Sequence, residues 1–263
     1  MTVVLVTGGG TGIGAAVARR ETAAGAQVVV CGRRREPLAA VARDTGAEIC
    51  VADMSDAAGV AAAVSVATDR FGRLDGVVAN AGIMRTGTVL SVSLADWDES
   101  MAVNLRAPLL LARAALPALI DARGSFVAVS SIAALRVPGE CAPYAVAKAG
   151  LTMLTQTVAV DFAAQGVRAN VVCPGWVRTE MADAEMAEFG EPLGLTTEQA
   201  YAEVTRLVPQ RRPAEAGEVA DVVHWLLGTE SSYVTGAVLT VDGGTTLIDP
   251  GTVAFDYRVE PRS

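Results

Sequence analysis

TVVLVTGGGTGIG, residues 2–14, decides the fold of this 263-residue chain. Its Val/Leu run is short, nearly continuous and rich in β-branched residues, which reads as a strand buried on both faces. It passes without a linker into a cluster of glycines and then into AAVARRETAAG, which has helical spacing. A strand that feeds a helix through a glycine turn presents free backbone N–H groups and the positive end of the helix dipole to an anion. Gly10, Gly12 and Ala15 satisfy the dinucleotide pattern G-x-G-x-x-G/A, while Gly8, Gly12 and Gly14 satisfy T-G-x-x-x-G-x-G. At the start of a βαβ unit, either spacing reads as a pyrophosphate cradle.

Outward from that stretch the pattern repeats. Val-rich runs recur at 27–31, 48–52, 76–80, 124–130, 168–173 and 237–241, separated by Ala-rich helical segments at 13–24, 34–44, 56–70, 97–120, 143–165 and 215–227. Strand alternating with helix gives parallel strands joined by right-handed crossovers. The expected fold is α/β: a single Rossmann-type domain over 1–246, with a doubly wound parallel sheet of about seven strands and helices on both faces. Residues 180–213 break the rhythm. They are acidic, interrupted by Gly190, Pro192, Gly194 and Pro209, and read as an insertion or substrate lid. A polar tail is expected over 247–263.

Composition narrows the function. Hydrophobic residues make up 51% and aromatics only 5%, so the core must be built from Ala, Val and Leu. A net charge of -8 argues against nucleic-acid binding, which needs clustered cations. Cys31, Cys50, Cys141 and Cys173 form no C-x-x-C pair and have no His at ligand spacing, so no metal is expected and a reduced, cytoplasmic setting is the simplest reading. The N-terminus shows no secretory pattern, and no stretch of about 18 uncharged apolar residues suggests a membrane span.

The second strand bears on the choice of cofactor. NAD-binding folds place an acid at its end, about 20 residues after the glycine loop, to accept from the adenosine 2′-hydroxyl. Here the strand ends on Gly32, Arg33, Arg34 and Arg35. A carboxylate would repel a 2′-phosphate and an Arg fork would bind it, so NADP(H) is favoured and NAD(H) remains possible.

Tyr144 and Lys148, in YAVAK, stand one helical turn apart just after Pro143, a residue suited to the start of a helix. A free Tyr titrates near 10, and an adjacent ammonium together with a nicotinamide charge is expected to pull it down.

Together these residues resemble the short-chain dehydrogenase/reductase family over about residues 1–245. The resemblance implies a cofactor site of Gly8, Thr11, Gly12, Ile13 and Gly14 in the first loop, with Asp53 and Met54 at the adenine. It adds Asn80-Ala81-Gly82 after the fourth strand, and Pro174, Gly175, Val177 and Thr179 near the nicotinamide carboxamide. It implies the catalytic set Asn104, Ser131, Tyr144 and Lys148, in which Tyr144 exchanges the proton and Ser131 holds the substrate oxygen. Lys148 would bond the nicotinamide ribose and Asn104 would order a water. Ser131 is preferred over Ser130 because it lies 13 residues before Tyr144, as in the family. The resemblance also implies a homotetramer or dimer packed through 97–120 and 143–165.

For the substrate, Met84, Ala133, Leu135, Trp176 and Met181, with Ile83 and Val137, suggest an apolar carbonyl compound, cyclic or polyketide-like. His224, Trp97 and Trp225 read as helix packing, and the acidic run from Asp183 to Glu203 as a solvated helix face. The expected function is an NADP(H)-dependent interconversion of a ketone and a secondary alcohol. The alternatives are an NAD(H)-dependent alcohol dehydrogenase, a 3-oxoacyl carrier-protein reductase and a non-redox cofactor-binding relative. Gln165 stands where carrier-protein reductases often carry Arg, and an intact Tyr144 and Lys148 weigh against the non-redox relative.

Overall fold

In the computed structural model, residues 2–249 and 251 are described. The expected tail therefore lies largely outside the described residues. The first half of the chain alternates strand with helix, with two helices between β4 and β5: β1 (Val3–Thr7), α1 (Gly12–Ala23), β2 (Gln27–Gly32), α2 (Arg35–Thr45), β3 (Glu48–Val51), α3 (Ala57–Phe71), β4 (Gly76–Ala79), α4 (Leu94–Met101), α5 (Ala107–Ala122) and β5 (Ser125–Val129). The second half carries α6 (Ala142–Phe162), β6 (Arg168–Pro174), β7 (Val177–Arg178), α7 (Glu180–Gly190), α8 (Thr197–Val204), β8 (Ala214–Glu215), α9 (Ala216–Leu227) and β9 (Val238–Val241).

Seven strands form one parallel sheet in the order β3-β2-β1-β4-β5-β6-β9. The Val runs are continuous because each strand is covered on both faces. Along β1, Val3 and Leu5 join a core that includes Phe126, Leu111, Leu119 and Leu151. Val4 and Val6 join the opposite core with Val17, Leu38, Val223 and Leu226. Each face buries a separate set of apolar side chains, and this burial is the main stabilising term.

Helix ends follow local chemistry. The Asp56 carboxylate accepts from Gly59 N at 3.3 Å and starts α3, while Gly46 and Gly72, both left-handed, end α2 and α3.

Three departures from the sequence reading stand out. The segment 97–120 is not one regular helix, because a π-turn over Ala102–Arg106 separates α4 from α5. The run Leu94–Ala122 is long and apolar enough to cross a membrane by length and composition, although Arg106, Arg113 and Asp121 interrupt it. It packs on α3 and α6 as a core helix of this fold. Residues 180–213 are also more ordered than an interrupted lid suggests. They form α7 and α8 around a small core of Ala182, Met186, Ala200 and Tyr201, with Trp176 and Val204 against it. Finally, Trp225 is 39% exposed, because Val219, Ala220, Val223 and Leu226 already occupy the inner face of α9. His224 does pack structurally, its Nδ1 2.8 Å from Glu21 Oε1.

Candidate active site

The strand order reverses between β1 and β4, which opens a crevice at the carboxyl ends of the strands. The glycine loop fills one side of it. Gly8 and Gly12 sit at φ of 64° and 52°, a region that favours glycine. A Cβ on Gly14 would stand 2.3 Å from the Gly8 carbonyl oxygen and 2.5 Å from Asn80 Nδ2, so the close approach requires glycine there.

Thr7, which opens the T-G-x-x-x-G-x-G spacing, pins this loop to β4. Its hydroxyl accepts from Asn80 N (2.9 Å) and Ala81 N (3.0 Å) and donates to Val78 O (3.2 Å). Asn80 Nδ2 donates to Thr7 O at 2.9 Å. Asn80 therefore acts as a brace of the loop. Gly82, two residues on, is where the crevice meets the polar centre: a Cβ there would lie 3.0 Å from Asn104 Oδ1 and 3.4 Å from Lys148 Nζ.

Asn104, fully buried, belongs to the π-turn. Its Oδ1 accepts from Ile83 N at 3.0 Å, and its Nδ2 donates to Ile83 O at 2.9 Å and Ser100 Oγ at 3.1 Å. It fixes the main chain just beyond Gly82. Ser131 caps a short 3₁₀ turn after β5, its Oγ accepting from Ala133 N at 3.1 Å. Ser130 instead donates to the Lys148 carbonyl at 3.0 Å and anchors α6. Tyr144 and Lys148 lie in the first two turns of α6, with Lys148 Nζ 5.6 Å from the Tyr144 ring centroid. Pro143 falls at the second helical position, one later than the sequence suggests.

The electrostatics differ from expectation. Burial pushes the Tyr144 phenol up to about 12, against a Ser131 hydrogen bond that pulls it down, and a negative charge on Glu185 pushes it further up. Burial also pushes Lys148 down to about 8. The expected lowering of Tyr144 by Lys148 is thus absent. Desolvation disfavours both charged forms, and the ammonium donates to Val129 O at 2.9 Å. Glu185 is a second surprise. Read as part of a solvated acidic face, it is half-buried on α7 and held above the usual carboxylate range by burial. Ala182 and Met186 mark the inner face of α7, and Glu185 lies between them in the same helical spacing, a signal available from the sequence.

At the other end, Gly10, Thr11, Gly32, Arg33, Arg34 and Asp53 line the same crevice as Ala81, Gly82 and Ile83. The Asp53 carboxylate accepts from Ser55 N and Oγ at 2.9 and 2.8 Å and is held below its ordinary range, chiefly by these bonds. Met54 lines the crevice too, although its sulfur is buried 3.5 Å from Cys31 Sγ. Ile13 and Val177 turn into the core. Pro174 closes β6, and a Cβ on Gly175 would come within 3.0 Å of Asp242 Cα. Thr179 caps α7, accepting from Ala182 N at 3.2 Å, and its methyl would touch any Cβ on Gly12 at 3.0 Å. The start of α7 therefore rests on the glycine loop.

The expected substrate residues divide. Met84 Sδ lies 3.9 Å from Cys141 Sγ, beside the start of α6, and Ala133 packs under Ser131. Leu135 is half-buried and Met181 exposed. Val137 is 80% exposed. Trp176 packs on the lid core and lines a smaller cavity with Val208, Gln210 and Asp242.

A family model described as enoyl-(acyl carrier protein) reductase, adh_short_C2, matches residues 8–246. The chain is 40% identical to Protein MoaE of Klebsiella aerogenes over 255 residues, covering 96% of this chain and 98% of that protein. The crystal structure of levodione reductase superposes with a TM-score of 0.88 at 36% identity, covering 94% of this chain and 98% of the other. A variant of actinorhodin polyketide ketoreductase with NADPH gives 0.88 at 31% identity, over 92% and 96% of the two chains. The crevice, the glycine loop and these likenesses agree: the chain belongs to the short-chain dehydrogenase/reductase family of oxidoreductases.

Proposed function

We propose that the protein interconverts a ketone and a secondary alcohol with NADP(H), Tyr144 carrying the proton. The observation behind this reading is the convergence at one end of the crevice. Gly82 stands beside both Asn104 Oδ1 and Lys148 Nζ, Lys148 Nζ lies 5.6 Å from the Tyr144 ring, and Ser131 acts on the Tyr144 phenol to lower its pKa.

The residues fit a dinucleotide: the glycine loop leaves backbone N–H groups free at the start of α1, and Gly14 admits no side chain. A bound nicotinamide cofactor supplies or accepts the hydride. Tyr144 holds a proton at its phenol oxygen for delivery to the carbonyl oxygen. Ser131 donates to that same oxygen and stabilises charge developing there. Lys148 keeps a cation near the phenol, and Asn104 holds Ile83 and the end of β4 in place. The neutral form of Tyr144, favoured by burial, suits the reductive direction. Met84, Ala133 and Leu135 favour an apolar ring or chain beside the reacting carbon. The exposed apolar residues of α5 and α6 are proposed as a subunit interface.

The test is loss of nicotinamide absorbance with a panel of cyclic and acyclic ketones, comparing NADPH with NADH. Tyr144→Phe is expected to lower kcat by about 100-fold or more while leaving cofactor binding intact. Unchanged turnover in that variant would remove Tyr144 from the mechanism. A second reading, NAD(H) as cofactor, is favoured by one observation: Arg34 is engaged by the carboxylate of Glu180.

A further inference from the structure

Arg34 bridges the crevice. It caps the start of α2, on the β2 side, and its guanidinium reaches the first residue of α7 on the β6 side. Nη1 donates to Glu180 Oε1 at 3.0 Å and Nη2 to Oε2 at 2.8 Å, a bidentate fork. Among the described residues, no other ion pair or side-chain hydrogen bond joins residues 180–213 to the first hundred residues. Arg33, its neighbour, makes no side-chain hydrogen bond or ion pair among the described residues, and its charge acts on Asp53.

The planar fork that holds a carboxylate is the same one that holds a phosphate. Arg34 cannot present both Nη groups to Glu180 and to a 2′-phosphate at once. We propose that Glu180 sets the cofactor preference by competing with the adenosine 2′-phosphate for Arg34, while Arg33 is the arginine free to meet that phosphate from the start. The proposal rests on the reading that the three arginines after β2 face the adenosine ribose. NADP(H) must displace Glu180 from Arg34 and then lies near a released carboxylate. NAD(H) carries no group that competes, so the Arg34–Glu180 clasp across the crevice stays closed over it.

The experiment is a fluorescence titration of NADPH and NADH into four full-length proteins: wild type, Glu180→Gln, Arg34→Ala and the double variant. Glu180 is exposed at the start of α7, and Thr179 keeps its cap in every variant. Glu180→Gln is expected to tighten NADPH by about fivefold, with NADH changing by less than about twofold. The gain is expected to vanish when Arg34 is already Ala. Equal shifts for both cofactors, no shift for NADPH, or a gain that survives in the Arg34→Ala background would each overturn the proposal. The wild-type ratio tests the NADP(H) reading separately: tighter NADH binding there overturns that reading, yet Glu180→Gln must still improve NADPH. Binding of neither cofactor overturns both.

Discussion

Tyr144 and Lys148 are each disfavoured as ions by burial, and the two shifts act on stability in opposite senses. Lys148 titrates at about 8 in the fold against 10.5 ordinarily, so between those values the unfolded chain binds the extra proton. Stability from this group therefore rises with pH through that window and is lowest below it. Tyr144, raised from 10.0 to about 12, keeps its proton longer in the fold, so its contribution falls above pH 10. Lys148→Met is expected to flatten the rise in Tm between pH 8 and 10.5, measured by thermal melts across that range. Glu185 offers a second handle. Its negative charge helps hold the phenol protonated, so Glu185→Gln is expected to move the acid limb of the alcohol-oxidation pH profile to lower pH. An unmoved limb would place Glu185 outside the field felt by Tyr144 during turnover.

At the scale of elements, α7 and α8 behave as a folded unit with its own core. Tyr201 is its centre: it is 1% exposed, its hydroxyl donates to Asp183 Oδ1 at 2.8 Å, and the Arg178 guanidinium lies 4.7 Å from its ring. Tyr201→Ala is expected to cost about 3–5 kcal/mol locally, as for other large aromatic truncations. Limited proteolysis should then cut within 180–213 well before the sheet unfolds. This unit was hard to read from the sequence because Gly190, Pro192 and Gly194 punctuate it, and turn signals outweigh short helical periods. The sheet was legible for the opposite reason. Continuous Val runs occur where both faces are covered, and all seven expected runs became strands of one sheet. The positions around the crevice were expected from the family resemblance and its spacings: Asn104 Oδ1 and Lys148 Nζ both lie beside Gly82, and Lys148 Nζ is 5.6 Å from the Tyr144 ring. What spacing could not convey was the π-turn that carries Asn104. One extra residue in a helix leaves the apolar pattern on either side nearly unchanged.

Across the whole molecule, apolar residues gather on one outer face. Val146, Met153 and Val160, at 49%, 62% and 80% exposure, recur every seventh residue along α6, with Leu109 of α5 also exposed. That spacing keeps them in one stripe, and an exposed apolar stripe on a helix is a common mark of an interface. Met153→Glu is expected to shift the species seen by light scattering toward a smaller mass. An unchanged mass would remove this stripe from any subunit contact. The two cores suggest a related partition. Leu226 and Val223 lie on the face away from α6, so shaving them should lower Tm with little change in KM for the carbonyl substrate.

The hydroxyl of Thr7 sits at the seam where the strand order reverses, and it holds two N–H groups and one carbonyl of the neighbouring strand end. The width of the nucleotide cleft on that side is thus set by three hydrogen bonds of fixed length and not by compressible side-chain packing. A bulkier cofactor analogue cannot gain room there by small adjustments. The other wall, α7 resting on Gly12 through a methyl group and clasped by one exposed ion pair, is the side that gives. Adaptation of this scaffold to a new cofactor is therefore expected to accumulate in residues 179–190 and to leave residues 7–14 unaltered.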